Sequence, residues 1–274
     1  MRGRIALCLV LLAAAASVAA AAPRAVTLAT TTSVQDTGLL DALLPDFERR
    51  SGIEVKVVAV GTGQALELAR RGDADAVLVH APDLEREFVR QGYAAGHWRL
   101  MYNHFVIVGP AADPAGVRSA ASAIEAFKRI ADAKATFVSR GDNSGTYSRE
   151  LAVWKAAKVE PGGDWYLAAG SGMAATLRLA DEKDAYTLSD IGTYLSQKRN
   201  LRLEVLYEKG GALLNPYSLM AVSPKKYPTV NYTGAMHLIH YLLAPETLKR
   251  IGSFGVEQFG SPLFHLYERP QPRG

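Results

Sequence analysis

Short runs of β-prone apolar residues alternate with helical patterns along this chain, and that alternation restricts the folds open to it. The first run covers 26–29, and the helical pattern that follows stops at Gly52. Further strand patterns cover 53–60 and 76–80, and Pro82 opens the next helix. This order is typical of βαβ units, in which the strands lie parallel in one sheet. The sequence therefore predicts an α/β protein.

Two apolar runs, 105–108 and 219–222, lie far apart in the chain, and each ends shortly before a proline. We interpret them as paired hinge strands, because the segment between them has its own alternation of elements. Helical patterns there cover 123–131, 144–157 and 174–181, and strand patterns cover 136–139 and 185–187. Ser189 is expected to cap the helix after the last of these strands. The sequence thus predicts two lobes with a ligand cleft between them: 23–108 plus 216–274 form lobe 1, and 109–215 form lobe 2.

The first 22 residues are typical of an export signal. Arg2 and Arg4 precede an apolar run over 5–18, and small residues continue to Ala22. That run is shorter than the roughly 20 residues of a permanent membrane span. We therefore predict a signal peptide over 1–22 and a soluble, periplasmic mature protein. Cys8 lies inside the signal, so no cysteine is left for a lipid anchor, a disulfide or a nucleophile.

The charge of the mature chain is nearly balanced. The full sequence has 31 Lys and Arg against 27 Asp and Glu, and the two signs are interspersed. No basic stripe marks a nucleic-acid surface, so no nucleic-acid partner is predicted. The small excess of bases favours the approach of an anion without identifying it. We also predict no cofactor and a monomeric chain.

Two strand-to-helix turns of lobe 1 carry groups that can donate hydrogen bonds to an anion. The polar stretch 30–38, predicted to be turn-like, begins with four hydroxyls that include Thr31 and Ser33. Hydroxyls and helix-start amides both donate to anions. At 61–64, Thr62 stands between two glycines that allow backbone amides to approach a ligand closely. Helix capping and an ordinary turn explain the same residues without any ligand.

Two turns of lobe 2 extend this pattern. The segment 139–146, SRGDNSGT, places the planar, charge-assisted donors of Arg140 just before a helix start. Its hydroxyls, Ser144 and Thr146, flank Gly145, and a glycine-rich backbone can form an anion nest. The segment 170–172 can add the backbone amides of Ser171 and Gly172. A capped surface loop with a solvated arginine is the alternative for 139–146, and a flexible loop is the alternative for 170–172. We expect Arg140 to be an exposed cleft side chain.

At these turns the chain resembles the substrate-binding component of bacterial tungstate ABC transporters, within the type II periplasmic binding proteins. The resemblance spans nearly the whole mature length. Its segments are 29–40 (ATTTSVQDTGLL), 60–66 (VGTGQAL), 73–82 (DADAVLVHAP), 101–110 (MYNHFVIVGP), 137–146 (FVSRGDNSGT), 164–166 (DWY), 185–194 (AYTLSDIGTY) and 215–218 (NPYS). The chain departs from the family pattern at His104, where an acidic residue is common, and at Ile191, where a basic one is.

The resemblance implies a type II, two-lobed periplasmic binding protein-like fold with a ligand cleft. It also implies that the protein captures tungstate, and molybdate as well, for an ABC permease. It also implies a set of anion contacts from both lobes, which would close by hinge motion. The implied ligand-binding residues are Thr31, Ser33, Thr62, Arg140, Ser144, Gly145, Thr146, Ser171 and Gly172. No residue is expected to bind a metal, since metal enters only as the bound oxyanion.

Other functions stay open at this point. Tungstate and molybdate dianions carry no proton at neutral pH and need only donors, whereas phosphate keeps a proton and needs an acceptor. Asp142, beside Arg140, is the one nearby carboxylate that could accept it, so phosphate or another tetrahedral oxyanion is an alternative ligand. Periplasmic oxyanion sensing is an alternative to import. We predict no enzymatic activity, because no G-x-S-x-G elbow occurs and no histidine lies in the four turns.

Overall fold

The computed structural model describes residues 25–267, so the predicted export signal at 1–22 lies outside them. The strands are β1 (Ala25–Thr31), β2 (Glu54–Val60), β3 (Ala76–Val79), β4 (Ala94–Gly109), β5 (Phe137–Ser139), β6 (Tyr166–Ala168), β7 (Thr187–Asp190), β8 (Glu204–Tyr207) and β9 (Leu214–Val222). The helices are α1 (Thr32–Asp36), α2 (Leu39–Ser51), α3 (Thr62–Arg71), α4 (Pro82–Arg90), α5 (Ala123–Asp132), α6 (Gly145–Ala156), α7 (Met173–Glu182), α8 (Ile191–Gln197), α9 (Tyr232–Leu243), α10 (Pro245–Ser253) and α11 (Val256–Phe259). Among these residues, no helix is long and apolar enough to span a membrane. The predicted α/β class is confirmed.

Parallel pairing in the first lobe brings three strand ends to one edge of a sheet. The strand order is β2, β1, β3, β9, β4, and β1 is parallel to both β2 and β3. Thr31 pairs with Val60, and Thr30 pairs with Leu78. The turns that follow β1, β2 and β3 therefore lie side by side at the carboxyl edge, where α/β proteins bind ligands.

The stretch 30–38 differs from the prediction, because it contains helix α1 instead of a continuous turn. Thr31 keeps an extended backbone, and its side chain accepts a hydrogen bond from the Val34 amide at 3.3 Å. This cap satisfies one of the free amides at the helix start. The chain then turns through Gly38, whose φ is 76°, before α2 begins.

The long strands β4 and β9 connect the two lobes, but the predicted pairing of 105–108 with 219–222 is wrong. β4 pairs with β9 only from Ala94 to His104, and Leu219 lies opposite Trp98. Residues 105–108 instead leave the first sheet and pair with β7. The predicted runs are thus the two far ends of the hinge strands. The stretch 94–104, which forms the first part of β4, contains a glycine and several polar residues. It therefore does not form an apolar run that the sequence could identify as a strand.

The second lobe repeats the parallel arrangement. β5 is parallel to β6, and Ser139 pairs with Ala168, so the turns after both strands meet at one edge. The predicted strand at 185–187 is displaced, since only Tyr186 forms a single bridge and β7 begins at Thr187. The helix after β7 is capped by Asp190, which accepts the Thr193 amide at 2.8 Å, and not by Ser189. A buried aspartate in a strand breaks the apolar pattern that the sequence prediction relied on.

Apolar packing separates along the same lines as the sheets. Two hydrophobic clusters combine residues up to Met101 with residues from Tyr217 onwards. Two others draw only on the segment from Phe105 to Leu213. Each side of the hinge therefore has its own core, and the predicted two-lobed, periplasmic binding protein-like fold is confirmed.

Gly109, at the second-lobe end of β4, provides a test of how tightly the hinge strand is seated. A Cβ added there would lie 2.6 Å from the Tyr186 ring and 2.8 Å from Leu206. We expect Gly109→Ala to lower the free energy of unfolding by about 1 to 3 kcal/mol through overpacking. Gly211→Ala, where a Cβ meets nothing within 4 Å, is the matched control and should change it by less than about 0.5 kcal/mol. Urea denaturation measures both, and equal effects would contradict the tight seating.

Candidate functional site

A cavity of about 600 Å³ lies between the two lobes, at the edges where the strands end. Thr32, Gly61 and Gln64 line it from the first lobe. The second lobe contributes Arg140, Asp142, Asn143, Tyr147, Ser171 and Gly172, among others. Three of the predicted ligand-binding residues, Arg140, Ser171 and Gly172, thus line one cavity. The other predicted residues are adjacent in sequence to its lining or are joined to it by the contacts described below.

The predicted hydroxyls of the first lobe are deeply buried. Thr31 is 3% exposed, Ser33 2% and Thr62 0%. The Thr31 and Ser33 oxygens lie 3.1 Å apart, so one hydroxyl donates to the other. Thr62 opens α3, with Gly61 as its N-cap. The turns at 30–33 and 61–64 therefore bring hydroxyls and helix-start amides to one place.

Arg140 is not the exposed side chain that the sequence suggested. It is 4% exposed, and its Nη2 donates to the Asp142 carboxylate within the same turn. Asp142 also accepts the Ser144 amide at 3.1 Å. The turn folds back on itself because a buried guanidinium requires a partner for its charge. The ion pair with Asp142 therefore fixes the Arg140 side chain without the help of a ligand.

The start of α6 holds the remaining residues of this turn. Ser144 is the N-cap and accepts the Tyr147 amide at 3.1 Å, so its capping role is real. Thr146 is completely buried. Gly145 lies so close to His80 that a Cβ would be 2.9 Å from the imidazole ring and 3.0 Å from the His80 carbonyl oxygen. This contact joins the second-lobe turn to the first lobe.

The turn at 170–172 is bonded to the Arg140 turn. The Gly170 amide donates to the Arg140 carbonyl oxygen, and the Ala169 amide donates to the Ser139 carbonyl oxygen, both at 2.9 Å. Gly172 then caps α7 without a side chain. The two turns together form the second-lobe side of the cavity, and helix α7 begins there.

The two lobes also touch directly across the cavity. The Gly63 amide donates to the Asn143 carbonyl oxygen at 3.0 Å. A Cβ at Gly63 would lie 3.2 Å from the Asn143 Cβ and 3.3 Å from its carbonyl oxygen. The glycine is thus required by the close approach of the lobes, and the cleft is closed in this structure.

Unpartnered donors are concentrated in this closed cleft. Within residues 25–267, seven buried side-chain atoms have no hydrogen-bond partner. Three of them are the hydroxyls of Thr62 and Thr146 and the Nε of Arg140, all in the predicted set. Leaving a buried polar group without a partner costs about 1 to 3 kcal/mol, so such a group needs an explanation. A ligand rich in acceptors supplies one.

Sequence reasoning missed His80, which follows β3 at the carboxyl edge. Its ring bonds to Ser33 and contacts Gly145, although it lies outside the four predicted turns. Burial, together with the nearby charges of Arg140 and Arg149, lowers the pKa of His80 to about 4, against the hydrogen bond with Asn215, which raises it. The parallel pairing of β3 with β1 was the signal that could have found it, since their ends share an edge.

Two buried carboxyl groups beneath the cleft were also missed. Burial raises the pKa of Asp190, against the effects of hydrogen bonds from Thr193 and the charge of Arg140. Burial likewise raises the pKa of Glu150, to about 7, while hydrogen bonds from Tyr166 and other donors lower it. Tyr166 donates to Glu150 at 2.6 Å, and Trp154 at 3.3 Å. These groups support the Arg140 turn from the protein interior.

The two departures from the family pattern lie together, away from the predicted anion contacts. His104 and Ile191 both line a second cavity of about 350 Å³ beside the hinge. None of the nine predicted ligand-binding residues lines that cavity. The departures therefore leave the anion turns unaltered.

Two α/β lobes that close over a donor-lined cleft, joined by two long strands, define a solute-binding protein. Comparison with known proteins agrees: a profile of the PBP superfamily domain matches residues 17–246. The chain belongs to this superfamily.

Named relatives are similar over most of the chain. The "Tungstate-binding protein TupA" of Peptoclostridium acidaminophilum is 46% identical, over 86% of this chain and 84% of its own. The structure of "the tungstate ABC transporter from Geobacter sulfurreducens" is 50% identical and matches with a TM-score of 0.78, covering 85% of this chain and all of that one. The tungstate-binding protein TupA from Desulfovibrio alaskensis is 41% identical, with a TM-score of 0.75 over 91% of this chain and 99% of its own.

The raised pKa of Glu150 predicts a pH dependence of stability. Because the pKa is higher in the folded chain than its ordinary 4.5, the stabilising contribution is fully present below about pH 4.5 and is lost as the pH rises through about 7. Glu150→Gln removes the titration. The free energy of unfolding of the wild type, relative to this variant, should therefore fall by roughly 1 to 3 kcal/mol between pH 5 and pH 8. Urea denaturation at both pH values measures it, and a constant difference would contradict the shifted pKa.

Proposed function

We propose that this protein is an exported solute-binding protein that captures tungstate, and also molybdate, for import by an ABC transporter. The observation that carries this proposal is the cluster of unpartnered donors, Thr62, Thr146 and Arg140, in a cleft closed by both lobes. A fully deprotonated oxyanion accepts hydrogen bonds on every oxygen and needs no acceptor in return. The relatives named for tungstate supply the choice of anion.

The proposed site comprises the nine residues predicted from the sequence. Thr31, Ser33 and Thr62 face the anion from the first lobe. The second lobe contributes Arg140, Ser144, Gly145, Thr146, Ser171 and Gly172. Their support is the burial of the hydroxyls, the cavity that Arg140, Ser171 and Gly172 line, and the helix starts of α3, α6 and α7, whose amides favour negative charge.

The arrangement of Asp142 disfavours phosphate as the ligand. Both of its oxygens have partners in their own turn, one being the Arg140 guanidinium and the other the Ser144 amide. Asp142 thus balances the charge of Arg140 and holds its own turn, and this engagement competes with acceptance of a proton from a protonated anion. This engagement supports a preference for anions that carry no proton.

The proposed role also assigns a part to each segment of the chain. The lobes comprise 23–108 plus 216–274 and 109–215, which the separate apolar cores support. Residues 1–22 direct export to the periplasm, where a monomer binds the anion and presents it to the permease. The named relatives are binding and transport proteins, and this supports a role without catalysis.

The choice of anion is tested by calorimetry on the purified mature chain. Tungstate and molybdate should bind with measurable heat, and phosphate should bind at least about tenfold more weakly, because it keeps a proton while Asp142 is engaged by Arg140. Sulfate carries no proton but has shorter bonds to oxygen, so it should reach fewer donors of the two lobes at once and also bind at least about tenfold more weakly. Thermal stabilisation by the same four anions is the second readout. Absence of binding by all four would remove the proposal, and a preference for phosphate would replace the ligand.

The unpartnered hydroxyls are tested by Thr62→Val and Thr146→Val, which keep the shape and remove the hydroxyl. Each should weaken tungstate binding roughly ten- to hundredfold and leave the ligand-free chain equally stable or more stable, since no protein hydrogen bond is lost. Thr30→Val is the control, because its hydroxyl donates to the Leu78 carbonyl oxygen at 2.8 Å. That variant should lose about 1 kcal/mol of unfolding free energy. Wild-type affinity in both cleft variants would exclude the hydroxyls from the site.

A further inference from the structure

His80 stands at a junction between the anion turns and the hinge strands. It is 3% exposed, and it lies just after β3 at the edge where the first-lobe turns meet. Its Nε2 lies 3.1 Å from the Ser33 hydroxyl, and its Nδ1 lies 2.9 Å from the side-chain amide of Asn215. Both ring nitrogens are therefore engaged, one with the proposed site and one with β9.

The Asn215 side chain links His80 to both hinge strands. Its amide group lies 2.8 Å from the Asn103 side-chain amide and 2.9 Å from the Tyr217 hydroxyl. A hydroxyl has one proton, so Ser33 can donate to a proton-free anion only if His80 Nε2 carries the imidazole proton and donates to the Ser33 oxygen. Nδ1 is then the ring nitrogen bonded to Asn215.

The imidazole of His80 is held in its uncharged form. It is buried, Arg140 and Arg149 are the cations whose charges act on it, and the Tyr217 ring lies 4.8 Å away. Burial and two neighbouring positive charges disfavour an imidazolium, in agreement with the lowered pKa of His80. His80 therefore holds Ser33 as an uncharged hydrogen-bond partner.

The chain of contacts reaches both hinge strands. Asn103 belongs to β4 and Asn215 to β9, and the two are partners in the register of these strands. On its other side, Ser33 lies 3.1 Å from Thr31, and the imidazole packs against Gly145 of the second lobe. One side chain thus connects the proposed anion hydroxyls, the hinge and the second-lobe turn.

We propose that His80 is a positioning residue for anion capture, which holds the Ser33 hydroxyl in place through Nε2 and anchors it to the hinge strands through Asn215. This role rests on the proposed function and adds a residue that does not itself touch the anion. Positioned hydroxyls lose less freedom on binding, and this raises affinity without a new contact.

The two nitrogens can be tested separately. A Gln amide reaches the position of Nε2, whereas an Asn amide reaches that of Nδ1. His80→Gln should bind tungstate within about threefold of the wild type, because the bond to Ser33 is kept. His80→Asn keeps the bond to Asn215 and loses the one to Ser33, so its affinity should fall by roughly tenfold.

A purely structural role would give a different pattern. Each variant loses one buried hydrogen bond, and if His80 only stabilised the fold, the affinity of each would follow its unfolding free energy. Calorimetry with tungstate and urea denaturation of the same samples separate the two cases. Equal losses of affinity in His80→Gln and His80→Asn, or full affinity in His80→Asn, would overturn the proposal.

A double-mutant cycle with Ser33→Ala keeps the test decisive if either variant folds poorly. The effect of His80→Asn on affinity should disappear in the Ser33→Ala background, because the hydroxyl that His80 positions is then gone. Additive effects would overturn the role of His80. Failure of the wild type to bind tungstate would instead remove the proposed function, so the two failures are distinguishable.

Discussion

The antiparallel pairing of β4 with β9 is the interaction on which the rest of the structure depends. Both strands leave the first sheet near His104 and Leu214, and β4 continues into the second sheet, where it pairs with β7 and β8. Backbone hydrogen bonds therefore fix the relative position of the two lobes at this crossing. The cleft exists because two lobes with separate cores share continuous strands along one side.

The closed cleft contains buried hydrogen-bond donors that have no acceptor within the described part of the protein. The Gly63 amide donates to the Asn143 carbonyl oxygen across the cleft, and Thr62 and Thr146 are completely buried. Their hydroxyls and Arg140 Nε have no partner within the described chain. Arg140 keeps its position through Asp142, so the charge is compensated while one of its donors stays free. The combination favours a ligand made of acceptors, and it explains why a small oxyanion suits the site.

The four turns could be predicted because their chemistry is local. Hydroxyls, glycines and an arginine placed between a strand pattern and a helix pattern are visible without knowledge of the fold. The cap at Ser144 was a local feature too. In contrast, the burial of Arg140, the contact of Gly145 with His80, and the carboxyl groups of Glu150 and Asp190 depend on neighbours far away in sequence. No spacing along the chain reveals these partners.

The sequence by itself determined the α/β class, the approximate bounds of several helices and strands and the residues available to bind an anion, since periodicity and turn chemistry act over a few residues. Only the tertiary structure decided the register of β4 with β9, the closure of the lobes and the place of His80. The physical reason is that the residues of a strand do not specify which distant strand they pair with or in which register. Register and closure follow from packing two cores at once, and His80 reaches Ser33 only because β3 lies parallel to β1.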